Sequence, residues 1–302
     1  MKAVQIKNYG GNEVLEINEI DKPVLKNGQV LVEVHAASLN PVDFKLRSGF
    51  LKDWMPLTFP ATLGGDFAGV KVETGEKVFG SCIVLNGGSG ALAEFAACNR
   101  QNMASMPKTI NFTQAASLPL VGASALQALE EHMNLQQGQK ILIHGGAGGI
   151  GSIAIQLAKL HGASVTTTVR KEDEEFVKSL GADQVIDYES EDFSKVIKDV
   201  DAVFDTVGGE VTNKSFTVLK KGGILVSMLG QPGEQLAKQY GVTGIGQFTK
   251  TTSDKLKRLA ELVDAGKIKP QVDKIFPLEQ IQEAFDYLET SHPKGKVVVS
   301  IK

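Results

Sequence analysis

Seven consecutive positions, Gly145-Gly146-Ala147-Gly148-Gly149-Ile150-Gly151, carry the most specific chemistry in the sequence. Gly146, Gly148 and Gly151 satisfy G-x-G-x-x-G. The apolar run Ile141-Leu142-Ile143-His144 precedes them, and Ser152–Lys159 follows with helical periodicity. A strand that turns this tightly into a helix presses bare backbone N–H groups, here those of residues 146 to 151, against a pyrophosphate. The partial positive charge of the helix N-terminus acts on the same phosphates. The motif therefore reads as a dinucleotide site, with a ligand-free tight turn as the alternative. Cofactor choice is written at the tip of the second strand, where an acid would bond a ribose 2′-hydroxyl and a base would accept a 2′-phosphate. That tip reads Thr166-Thr-Thr-Val-Arg170-Lys171, and the first acids, Glu172 and Asp173, come after it. Arg170 and Lys171 thus favour NADPH, the alternative being two solvated loop cations followed by helix-start acids.

These groups need a scaffold. From Met1 to about 115 the apolar residues alternate, as in Val30, Val32 and Val34, an antiparallel β pattern. Between 116 and 266 short apolar strands alternate with helical segments, which is the grammar of a parallel sheet. Strands are expected near 140–144, 164–169, 184–187, 202–205 and 223–229, with a sixth at 242–248, and six suit a doubly wound fold. Helices at about 254–265 and 278–289 and a closing strand at 296–301 complete the chain. The segment 267–302 is expected to rejoin the first domain, leaving 116–266 as the dinucleotide-binding domain.

Composition narrows the function classes. The 302 residues, 42% hydrophobic and 22% charged, describe an ordinary globular protein of about two domains. With 32 basic and 35 acidic side chains the formal charge is −3, so no global positive field recruits nucleic acid or anionic lipid. No run of about 18 apolar residues offers a membrane span. Cys82 and Cys98 are too few for a disulfide framework, and a reducing, cytoplasmic location is expected.

Further motifs surround the glycine turn: Ser38-Leu-Asn-Pro-Val-Asp43 with Arg47-Ser-Gly49, Leu63-Gly-Gly-Asp-Phe-Ala-Gly69, Leu180-Gly-Ala-Asp183, Phe204-Asp-Thr-Val-Gly208, Gly222-Gly223, Gly266-Lys-Ile-Lys-Pro270 and Gly295-Lys-Val-Val298. In this order they resemble the zinc-independent quinone oxidoreductases of the medium-chain dehydrogenase/reductase superfamily over nearly the whole length. The resemblance implies an α/β protein in which a Rossmann doubly wound parallel sheet is inserted into a GroES-like β-rich catalytic domain. It places Ser124 beside the nicotinamide amide, Tyr188 near the adenosine phosphate, and Val207, Leu229 and Gly230 along the nicotinamide ribose. From the residues alone, Ser124 reads equally as a helix-start residue and Tyr188 as a strand-end aromatic. Related proteins usually have a longer hairpin than the Glu73-Thr-Gly-Glu-Lys77 found here.

Relatives with catalytic zinc carry a cysteine and a histidine where this sequence has Asn40 and Gly65, neither of which holds zinc as a thiolate or imidazole does. No metal is expected. His35, expected to alternate outward on its strand, and His132, His144, His161 and His292 lack ligand-spaced partners. Without a Lewis acid, hydride delivery suits an acceptor that spreads the incoming charge by conjugation, a quinone or an α,β-unsaturated carbonyl. Asn40 is assigned orientation of a ribose hydroxyl or substrate oxygen, the alternative being a turn former before Pro41. Asp43 reads either as a holder of the cofactor edge or, at least as readily, as a partner of Lys45 or Arg47, and is left out of catalysis. Phe50, Leu51, Trp54 and Phe59 are candidates for an apolar substrate wall or for core. No Tyr-x-x-x-Lys pair supports short-chain reductase chemistry, and no G-x-S-x-G elbow supports a hydrolase. A non-catalytic NADPH-binding or redox-sensing protein of the same fold is the rival reading. A homodimer is expected, joined at the sheet edge Val242–Phe248.

Overall fold

The computed structural model describes residues 1–302. It divides into Met1–Ala123 with Thr251–Lys302 as one unit and Ser124–Lys250 as the other.

In the first unit, strand Gln29–Ser38 lies at the centre of a seven-stranded sheet. Along one edge it pairs antiparallel with Asp66–Lys71, and along the other with Phe95–Asn99 at its start and with Lys296–Ser300, itself beside Val272–Pro277, at its end. The alternation read from Val30, Val32 and Val34 is real: all three are buried in one cluster with Phe67, Leu92 and Phe285. His35 does not face outward as expected. Its ring stacks on Phe112 at 4.2 Å between centroids. The short helix Pro41–Arg47 follows the central strand directly, started by proline at its first turn, where the missing N–H costs nothing.

The chain returns to this unit at Thr251, not at the 267 expected from sequence. Helix Ser253–Asp264 is the reason: Leu256, Leu259, Leu262 and Val263 are buried, and Leu259 lies so close to Gly122 that a Cβ there would sit 2.2 Å from its Cδ2. Asp264 at the helix end accepts from the backbone N–H groups of Lys108 and Thr109. The outgoing boundary likewise falls after Ala123 and not at 115, because the N–H of Leu120 is tied to Asp66 at 3.2 Å.

The second unit is a six-stranded parallel sheet in the spatial order Gln184–Asp187, Ser164–Val169, Lys140–His144, Val200–Asp205, Leu219–Ser227, Thr243–Gly246. Counted along the chain this is 3-2-1-4-5-6, the doubly wound order, with its switch point between the strands that end at His144 and Asp205. Ile141, Leu142 and Ile143 are fully buried, as a parallel strand covered on both faces must be. Two strands begin earlier than expected, at Val200 and Leu219, and the sixth is the shorter segment Thr243–Gly246 at one edge. No helix is long and apolar enough to cross a membrane.

Candidate functional site

The glycine turn explains itself position by position. A Cβ on Gly146 would lie 2.1 Å from the Thr167 hydroxyl, which is held by the carbonyl of Ile143 at 2.7 Å. A Cβ on Gly151 would lie 2.2 Å from the carbonyl of Gly145, so helix and strand meet there through bare backbone. Gly148 differs. Its Cβ would meet nothing nearer than 3.5 Å, so the turn itself tolerates a side chain and the bareness faces outward. Gly148 is the N-cap of helix Gly149–Leu160 and offers no side-chain cap. The first N–H groups of that helix, at Gly149, Ile150 and Gly151, have no intrahelical acceptor, and Ala147 lies in the turn that leads to them. This is a fixed, uncapped anion cradle at the C-terminal end of the sheet, and it fits a pyrophosphate.

The basic tip is less free than sequence implied. Arg170 follows the second strand, but its guanidinium contacts Glu172 at 2.7 Å and Asp173 at 3.5 Å. Lys171 pairs with Glu174. Both loop cations are thus engaged by the acids that follow them. Tyr188 ends the neighbouring strand, its N–H donating to Val169 at 3.1 Å, and the Arg170 charge acts on its half-exposed phenol. Arg170 and Tyr188 are therefore brought together.

Val207, Leu229 and Gly230 also converge. Val207 and Leu229 are half-exposed, and a Cβ on Gly208 would lie 2.6 Å from that of Leu229, so the two turns touch. Ser124 lies inside helix Pro119–Leu126, fully buried, with its hydroxyl 2.8 Å from that of Thr249. It is not a helix-start residue.

Asn40 sits in the first unit in a buried charged cluster that sequence did not show. Its Nδ2 donates to Asp66 at 2.8 Å and its Oδ1 accepts from Lys296 at 2.5 Å. The amide orientation is thereby fixed, and only one Nδ2 hydrogen is left for a ligand. Asp43 does not pair with Lys45 or Arg47. Its Oδ2 accepts the N–H of Asn40 at 2.7 Å, its Oδ1 is buried without a partner, and Arg47 binds Glu289 at 2.9 Å. Burial, reinforced by the Asp66 charge, pushes the Asp43 carboxyl up to about 7. Burial also raises Asp66 and lowers Lys296. One signal pointed here: Lys296 is a charged residue opening an apolar closing strand.

The Asp43 shift has a measurable consequence. A carboxyl whose folded value lies above 3.8 stabilises the fold fully below that pH and loses the contribution as pH rises through about 7. Asp43→Asn preserves the acceptor for Asn40 and removes the titration. The variant should gain on the order of 3 kcal/mol relative to wild type between about pH 4 and pH 7. Denaturant unfolding at both pH values checks this, and a pH-independent difference would contradict it.

Phe50 and Trp54, offered as substrate wall, are 77% and 87% exposed, whereas Phe59 packs edge-on against Tyr9 at 4.8 Å in the first unit. No cluster of three or more His, Cys, Asp or Glu side chains is arranged to hold a metal ion.

Residues 26–108 match the alcohol dehydrogenase GroES-like domain family and residues 180–299 the zinc-binding dehydrogenase family. The chain is 40% identical to an NADPH-dependent alkenal/one oxidoreductase, chloroplastic, of Arabidopsis thaliana, over 99% of its own length and 79% of the relative's. It belongs to the quinone oxidoreductase-like family of the medium-chain dehydrogenase/reductase superfamily. A second member of this family's neighbourhood, the 2-methylene-furan-3-one reductase of Solanum lycopersicum, is 39% identical over 99% of this chain and 79% of its own. Among solved structures the quinone oxidoreductase of Coxiella burnetii superposes with a TM-score of 0.93 at 36% identity, covering 100% of this chain and 99% of its own. The Escherichia coli quinone oxidoreductase, complexed with NADPH, gives 0.87 at 26% identity with 100% coverage of both. The quinone oxidoreductase-like frame thus extends over the whole chain. Although one matching family is described as zinc-binding, this member has Asn and Gly at positions 40 and 65.

Proposed function

We propose that the protein is an NADPH-dependent oxidoreductase that reduces quinones or α,β-unsaturated carbonyls without a metal ion. The observation that carries the reading is the outward-facing bareness of Gly148 at an uncapped helix N-terminus, a cradle for pyrophosphate. Residues 146–151 would hold the diphosphate, Arg170, Lys171 and Tyr188 the 2′-phosphate end, and Val207, Leu229 and Gly230 the nicotinamide half. Ser124 would lie beside the nicotinamide amide, held in place by Thr249 at its hydroxyl and by Gln247 at its carbonyl. When bound, NADPH supplies the hydride. Asn40, locked by Asp66 and Lys296, presents its remaining N–H to a ribose hydroxyl or a substrate oxygen.

The named relatives act on an alkenal or enone, or are quinone oxidoreductases, in keeping with an acceptor whose conjugation spreads developing charge. Asn40 and Gly65 supply no thiolate or imidazole to a zinc ion. We place the protein in the cytoplasm, as suits its unpaired Cys82 and Cys98, with a small conjugated carbonyl as its partner and neither nucleic acid nor membrane. A homodimer would form at the edge strand Thr243–Gly246, where the Gln231 side chain holds the Gly244 carbonyl and the Gly246 N–H and would have to release them for strand pairing.

The rival, an NADPH-binding redox sensor without turnover, draws on the engagement of both ends of the Asn40 amide inside the protein. The experiment that separates them follows nicotinamide absorbance with quinones, enones and saturated ketones, before and after prolonged chelation. Oxidation is expected with conjugated acceptors only and should survive chelation. Binding of NADPH with no oxidation across the panel would favour the sensor, and loss of activity restored by zinc would overturn the metal-free reading.

A further inference from the structure

Asp205 ends the fourth strand of the parallel sheet and is completely buried. A buried carboxylate is tolerated only when donors surround it, and here they come from two different turns. Its Oδ1 accepts the backbone N–H groups of Val207 and Gly208, each at 2.9 Å. Its Oδ2 accepts the Thr212 hydroxyl and, at 3.4 Å, the hydroxyl of Ser227 at the end of the fifth strand. The Ser227 oxygen in turn accepts the N–H of Leu229 at 3.2 Å. One carboxylate therefore fixes the backbone of residues 207–208 directly and that of residue 229 through a single hydroxyl. The carbonyl of Asp205 adds a third tie, accepting from Met228 at 2.9 Å. The same turns abut the glycine turn: Thr206 donates to the carbonyl of His144 at 2.7 Å, and a Cβ on Gly145 would lie 2.7 Å from the Thr206 hydroxyl.

We propose that Asp205 is a positioning residue for the nicotinamide half of the cofactor, setting Val207 and Leu229 at one spacing through Ser227 and contacting no ligand itself. The proposal rests on the reading that these two turns flank that half. Charge-assisted hydrogen bonds are roughly twice as strong as neutral ones, so a neutral acceptor of the same shape loosens both turns without emptying the site.

The test compares NADPH with adenosine 2′,5′-bisphosphate, a fragment that lacks the nicotinamide half. Asp205→Asn should weaken NADPH about tenfold and leave the fragment within about twofold. Ser227→Ala, which cuts only the link to Leu229, should move NADPH in the same direction by less and guards against a folding defect in the first variant. Equal weakening of NADPH and fragment would mark Asp205 as merely structural, and unchanged NADPH affinity in both variants would overturn the proposal outright. Val207→Asp separates the two levels: if it weakens NADPH alone while the other variants bind normally, the turns do flank the nicotinamide and only the role of Asp205 is wrong. If it too has no effect, the placement of the nicotinamide half is wrong and the proposal falls with it.

Discussion

Gly148→Val is expected to weaken NADPH binding by about a hundredfold or more while the protein stays folded. The two halves of that expectation come from different observations. A Cβ at position 148 would meet only the carbonyl of Gly145, at the ordinary distance of 3.5 Å, so the turn accepts the side chain. The same Cβ projects into the space in front of the uncapped helix N-terminus, where a pyrophosphate must touch backbone. Valine is branched at that carbon and cannot rotate its bulk out of the way. Gly146 and Gly151 provide the contrast. Side chains there would strike Thr167 and the Gly145 carbonyl at 2.1 and 2.2 Å, so valine at either position should lower thermal stability as well as affinity. Titration of NADPH alongside thermal unfolding of the three variants distinguishes the cases. Undiminished NADPH affinity in Gly148→Val would mean that the cofactor lies elsewhere.

Arg170→Asp should lower NADPH affinity roughly ten- to a hundredfold and leave NADH affinity unchanged or slightly improved. The structure sharpens the reason. Arg170 already pairs with Glu172 and Asp173, so Asp in its place would leave three acids and no arginine facing a 2′-phosphate. Part of the attraction in wild type is spent releasing Glu172, which favours the lower end of that range. Added salt should shrink the NADPH effect and leave NADH binding nearly constant, since exposed pairs are screened. Dissociation constants for both cofactors at two ionic strengths test the whole argument. A wild type that prefers NADH, or equal losses for both cofactors, would show that Glu172 or Asp173 holds the ribose and Arg170 only balances them.

What the sequence made legible was whatever depends on local order. The strand at 140–144, the glycine turn after it and the strands at 164–169 and 184–187 lie where apolar runs and glycine spacing put them, because strand, turn and helix are contiguous there. What escaped was set by partners distant in sequence. The amide of Asn40 is fixed by Asp66 and by Lys296, 256 positions away, and no spacing rule joins them. Ser124 is bonded to Thr249 across 125 positions, so its burial was invisible in Val121-Gly-Ala-Ser124. Helix 253–264 has the periodicity of any amphipathic helix, and only its contact with Gly122 and Lys108 decides which unit it joins. The engagement of Arg170 was hidden for the opposite reason: the acids that contact it follow it closely in sequence, but two carboxylates after a cation read as helix-start residues until their distances are known.

Hydride transfer by this chain is measured most directly with an isotope. Reduction of an α,β-unsaturated ketone with NADPH deuterated at the transferred position of nicotinamide C4, in ordinary water, should place one deuterium at the β-carbon of the product and a solvent-derived hydrogen at the α-carbon. Saturated product free of deuterium at the β-carbon, or tight NADPH binding with no product at all, would contradict it.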